Sequence, residues 1–198
     1  MSMFSRLIAV AALGLLLCGC VTASNTLAPD QVSTLKLQSV SVFFQPNARI
    51  WWGDGERAFA ALKGRSALEA EEVAKTEEGQ LYLRGTIAAK LSQAFENSLK
   101  DELQGARPVR LEIRVKDIEI ASAAQRILIG GHHRLTADVD LVDARSGAVV
   151  LAFSEQNAIA QAGQGIGGVL LDSAFLGEPI DRVIQNYATQ YRNWLLRK

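Results

Sequence analysis

Three kinds of apolar pattern divide this chain. The first is a continuous run, Leu7 to Leu17, behind one basic residue, Arg6. The second is strict alternation. Val40, Val42 and Phe44 share one phase, as do Val109, Leu111, Ile113 and Val115, then Leu135, Ala137, Val139 and Leu141, then Val149, Leu151 and Phe153. Period two is the signature of a half-buried strand. The third is a helical period. Ile87, Leu91, Phe95, Leu99 and Leu103 recur every four residues, and Ile180, Val183, Ile184, Tyr187, Ala188, Tyr191, Trp194 and Leu195 form one stripe behind Pro179.

These patterns predict a strand over residues 35–44, ended by Gln45-Pro46-Asn47, and a helix over 86–103, with Gly105 at C′ and Pro108 preventing continuation. Ile118 and Ile120 continue the second alternation in the opposite phase, which predicts a bulge near Lys116-Asp117. Asp143 to Gly147 reads as a hairpin loop. Between the first strand and the long helix, Trp51-Trp52-Gly53-Asp54-Gly55 reads as a turn with aromatic anchors. Residues 56–62 and 67–75 read as short helices, the second an acidic, solvated excursion. The order predicts an α+β two-layer sandwich, a mostly antiparallel sheet of about four strands with helices packed on one face. The alternate strand positions, Arg110, Glu112, Arg114 and Lys116 against Arg134, Thr136, Asp138 and Asp140, predict a solvated face on which opposite charges pair structurally.

The leading run has the length of a signal h-region and falls short of the ~20 residues that span a bilayer. It ends in Leu17-Cys18-Gly19-Cys20, which looks like a lipobox. Cys18 departs from the usual small residue two before the cysteine. An ordinary secretory signal, cut after Val21-Thr22-Ala23, is the alternative. The expected organisation is a lipoprotein signal peptide over residues 1–19, lipidated Cys20 with a flexible tether over 20–34, and one periplasmic domain over 35–198. Such a tether would span roughly 20 Å. After cleavage Cys20 is the one cysteine left, so the domain has no disulfide. Val21 in place of Asp favours the outer membrane, by resemblance to the enteric sorting rule. Without Arg6, 20 basic and 21 acidic residues leave a net charge of −1, which offers no basic excess for nucleic acid or for a polybasic membrane patch.

The segment from Ile50 through Trp51-Trp52-Gly53-Asp54-Gly55-Glu56 to Arg57 is the first carrier of a family resemblance. Gln125-Arg126 through Gly130-Gly131-His132-His133, and the Val142 to Gly147 hairpin, are the others. Together they resemble an uncharacterised family of small bacterial lipoproteins, from about Leu35 to the C-terminus. The resemblance implies no known activity and no catalytic residues. The broader layout also looks like periplasmic accessory lipoproteins of envelope transport and assembly systems, a likeness of fold alone.

The candidate chemistry is sparse. Gly163-Gln164-Gly165-Ile166-Gly167-Gly168 matches a dinucleotide fingerprint, but the strand that must follow it is missing from the pattern. With Val169, Leu170, Leu171 and Phe175 behind it, the segment reads as a glycine-rich connection and a candidate apolar contact. His132 and His133 are adjacent, so a strand would point them to opposite faces, and no mature cysteine can join them at a metal. No Gly-x-Ser-x-Gly elbow accompanies them. Ser33-Thr34-Leu35-Lys36 fits Ser-x-x-Lys without its companion motifs. Trp51 and Trp52 are either core anchors or a contact for a partner or membrane. The expectation is a non-catalytic outer-membrane lipoprotein on the periplasmic face, without cofactor or metal. It would be held by acyl chains and bind another envelope protein or lipid. A hydrophobic-ligand carrier and a periplasmic hydrolase are the alternatives.

Overall fold

The computed structural model describes residues 23–122, 127, 132–161 and 178–198. After a short helix α1 (Pro29–Ser33) the chain enters β1 (Leu35–Trp52), then α2 (Gly53–Leu62), a 3-10 turn (Ala67–Glu69), α3 (Ala70–Ala74) and α4 (Glu77–Leu99). Strands β2 (Arg107–Ile120), β3 (His132–Asp143) and β4 (Val149–Gln161) follow, and α5 (Pro179–Leu196) closes the order. The sheet runs β1-β2-β3-β4. The β1–β2 pair is parallel and the other two pairs are antiparallel. A parallel neighbour needs a crossover, which α2 to α4 supply. This is the α+β arrangement that the alternations predict.

The inward phase of each strand meets the helices. Val109, Leu111, Ile113 and Val115 of β2 and Leu135, Ala137, Val139 and Leu141 of β3 are fully buried. Facing them are Leu83, Ile87, Leu91, Phe95 and Leu99 of α4, and Ile180, Val183, Ile184, Tyr187, Ala188, Tyr191 and Leu195 of α5. Phe95, Phe153, Tyr187, Tyr191 and Trp194 form an aromatic cluster, with ring centroids 4.6–6.1 Å apart between contacting pairs. The register shifts between Val115 and Asp117, where the phase slip placed a bulge.

Five local expectations are corrected. Strand β1 does not end at Gln45-Pro46-Asn47. It bulges there, between Phe44↔Val115 and Arg49↔Asp117, and resumes pairing to Trp52↔Ile120. An edge strand accommodates a proline that a central strand would reject. The Trp51-Trp52 pair is therefore strand, and the following glycine opens α2 rather than a turn. Helix α4 starts at Glu77, where Thr76 Oγ1 accepts from the backbone N of Gly79 at 3.1 Å, an N-cap hidden in the acidic stretch. Gly105 does not sit at C′, since the helix ends at Leu99. Its amide donates to the Leu35 carbonyl at 2.7 Å, and a Cβ there would lie 2.1 Å from the Thr34 carbonyl carbon. That close approach excludes any larger residue.

The fifth correction concerns the tether. Residues 23–34 are docked on the domain. Leu27 and Val32 belong to the core. Trp194 Nε1 donates to the Ala23 carbonyl at 2.8 Å, and Asn25 Nδ2 donates to the Trp194 and Leu195 carbonyls at 2.9 Å each. Arg197 donates to the Asn25 and Leu27 carbonyls. The last carbonyls of α5 have no partner within the helix, so the asparagine amide serves as their cap.

Candidate recognition face

One sheet face is covered by α4 and α5, and the other carries the second phase of every strand. On that outer face the charged positions of β2 and β3 pair as their alternation predicts. Arg114 Nη1 meets Asp140 Oδ2 at 2.8 Å, and Lys116 Nζ meets Asp138 Oδ1 at 2.9 Å. Arg134 bridges Asp117 and Glu119 at 2.9 Å each, and Arg49 reaches Asp117 at 3.2 Å. Asp138 and Asp140 are buried to 7% and 8% exposure. Carboxylates this desolvated need their charge compensated, and the flanking cations do so. The charges on this face are thus committed to one another, the arrangement of a structural ladder.

Apolar side chains border the ladder. Phe43 lies in register with Arg114, and Trp51 with Glu119, both on the outward phase of β1. They are 51% and 49% exposed. On β4, Ile159 stands opposite Arg134 and is 56% exposed. The two tryptophans therefore part company because a strand alternates. Trp51 points to the open face. Trp52 points to the core at 6% exposure, its ring against Gly55, where a Cβ would lie 2.3 Å from ring carbon Cε3. Phe43 and Ile159 were missed by reading only the inward alternations. Each breaks the polar phase of its own strand, which is the signal that could have found it.

The other sequence candidates fall elsewhere. His132 is exposed, and His133 is fully buried beside Ile120 and Ala160 on the inward phase. The strand separates them as its period requires. Among the described residues no three His, Cys, Asp or Glu side chains are grouped to hold a metal ion. Ser33 donates to the Asp30 carbonyl at the end of α1, while Lys36 lies in β1. A surface groove of about 550 Å³ around α2 and α3 is lined by Phe59 and Val73 together with Lys63, Arg65, Glu69 and Glu78. Glu56 on α2 has its carboxyl pushed up by burial and by the charge of Glu71. The lipobox residues Leu17, Cys18, Gly19 and Cys20, and the contact candidates Ile166, Val169, Leu170, Leu171 and Phe175, lie outside the described residues. Among the described helices none is long and apolar enough to cross a membrane.

No family model matches the chain, and no curated protein matches it either. Solved structures similar to it are distant. A candidate lipoprotein from Caulobacter crescentus is 16% identical, with 56% of this chain and 81% of that one covered and a TM-score of 0.34. The PelC dodecamer from Paraburkholderia phytofirmans is 12% identical over 83% of this chain and 90% of that chain, at 0.37. A Xanthomonas campestris protein of family DUF330 is 11% identical over 89% and 91%, at 0.43. At these TM-scores none of these structures carries a function over to this chain.

Proposed function

We propose that this chain is a lipid-anchored lipoprotein on the periplasmic face of the outer membrane, and that it acts as a non-catalytic recognition module for another envelope protein. The anchor is Cys20, read from the lipobox. The recognition element is the outer sheet face, with Phe43 and Trp51 as its apolar contacts. The segment holding Ile166, Val169, Leu170, Leu171 and Phe175 is a further contact.

The observation that carries the reading is the exposure of Phe43 and Trp51 beside charges that already satisfy one another. Half-exposed aromatics are the side chains that supply most energy when a partner covers them. A ladder of internally paired charges adds orientation and little affinity. Anchoring raises the effective concentration of such a face for partners in the same membrane, so a modest contact suffices.

The test is photo-cross-linking in intact cells, with a benzophenone amino acid replacing Trp51 or, as a control, Leu68, which is 97% exposed on the 3-10 turn. Discrete adducts with one protein at position 51 and none at 68 support the reading. The same adduct pattern at both positions, or adducts at neither, refutes it.

A further inference from the structure

The docked N-terminal segment fixes which end of the domain meets the membrane. Strands β1 and β2 begin together at Leu35↔Arg107, and β3 ends beside them at Val109↔Asp143. Ala144 N donates to the Pro108 carbonyl, which folds the β3–β4 turn onto the same end. Helices α4 and α5 also finish there, joined where Arg192 and Lys198 meet Glu102. The described chain enters this pole at Ala23, under the Trp194 indole.

Ala23 lies three positions after Cys20, a reach of at most about 10 Å. The opposite pole, where β1 ends at Trp52, lies roughly 40 Å away along the 14 residues of β2. A lipid on Cys20 therefore cannot leave the domain free to present that far end to the bilayer.

Charge divides the same way. Residues 23–36, 99–108, 143–148 and 192–198 carry seven basic and four acidic side chains. Residues 53–78, at the other pole, carry four basic and seven acidic ones. Lys36, Lys100 and Arg145 at the near pole are exposed and enter no ion pair among the described residues. A near-neutral chain is thus polarised along the axis that the anchor defines, with its positive end on the anchored side. Anionic headgroups attract such a surface within a Debye length.

We propose that this pole is a bilayer-seating surface. It rests on anionic headgroups and holds the domain upright, with Trp51 at the end turned away from the membrane. The proposal rests on acylation at Cys20. It makes the N-terminal segment an orienting strut, and it assigns the Trp194 and Asn25 hydrogen bonds the role of setting that orientation.

The acylated full chain, carrying Ala148→Cys or Leu68→Cys with a donor dye, would be reconstituted into phosphatidylethanolamine–phosphatidylglycerol vesicles with an acceptor on the headgroups. Given a short strut and a ~40 Å domain, transfer from position 148 should exceed that from 68 by about twofold or more. Adding Asn25→Ala and Trp194→Phe should shrink that ratio toward one. Equal transfer from both positions in protein that floats with the vesicles overturns the seating surface and leaves the anchor standing. Protein that does not float removes the anchor and the seating surface with it.

Discussion

The Trp194 indole donates its Nε1 hydrogen to the Ala23 carbonyl over 2.8 Å, joining positions 171 residues apart. That bond and the Asn25 cap on the end of α5 turn an expected tether into part of the domain. Removing them by Asn25→Ala with Trp194→Phe deletes four hydrogen bonds of about 0.5–1.5 kcal/mol each, the fourth being the one that Asn25 Oδ1 accepts from the Leu27 amide. Limited proteolysis should then cut within residues 23–28 at a dose that leaves the wild type intact. An unchanged cleavage pattern would show that the burial of Leu27 and Val32 and the Arg197 hydrogen bonds to the Asn25 and Leu27 carbonyls are enough to hold the segment.

Tyr187 and Tyr191 are both fully buried one turn apart on α5, yet their hydroxyls differ. Tyr187 donates to the Ala137 carbonyl, whereas the Tyr191 hydroxyl has no hydrogen-bond partner among the described residues. Tyr187→Phe should therefore cost about 1 kcal/mol, and Tyr191→Phe should be neutral or stabilising, since it removes an unpaired buried group. Urea denaturation of the two variants decides it. Equal losses would mean that Tyr191 has a partner in solution.

The paired tryptophans give opposite expectations. Trp52→Ala empties a core site and should cost about 3–5 kcal/mol. Trp51→Ala should change stability by no more than about 0.5 kcal/mol, while abolishing the cross-linked partner when the probe is moved to Phe43. Thermal melts and the cross-linking yield measure the two effects separately. A large stability loss at Trp51 would place it in the core and end its role as a contact.

Much of the fold is legible because alternation reports burial directly. The bulge at Lys116-Asp117 shows itself as a change of phase, and the charged ladder as the complement of two apolar sets. The docked segment is not legible in this way. Asn25, Leu27 and Val32 follow no local period, and their partners are about 170 residues away or in the core. The long reach of β1 is hidden by Pro46, whose cost depends on the strand lying at an edge, a property of the assembled sheet. Trp51 could be nominated from sequence, but choosing between it and Trp52 required the strand phase that the proline interrupts.

The hairpin carries a pH signature. Asp143 accepts from the amides of Ser146 and Arg145 and from Arg107, and these bonds hold its carboxyl well below the usual carboxylate range. A depressed folded value means that the stabilisation is full above the unfolded pKa of about 3.9 and is lost as pH falls through the folded value. The difference in melting temperature between wild type and Asp143→Asn should be constant near neutrality and shrink in strong acid. A difference that grows on acidification would reverse the assigned sign.

The central claim is that Cys20 is the anchor. Intact-mass spectrometry of the full-length gene product, purified from cell membranes beside its Cys20→Ala variant, tests it most directly. The account predicts a wild-type chain that starts at Cys20 and carries the added mass of acyl chains, and a variant lacking that mass and lost from the washed membrane fraction. A wild-type chain beginning elsewhere without lipid, or a Cys20→Ala chain that keeps both its mass shift and its membrane association, would contradict it.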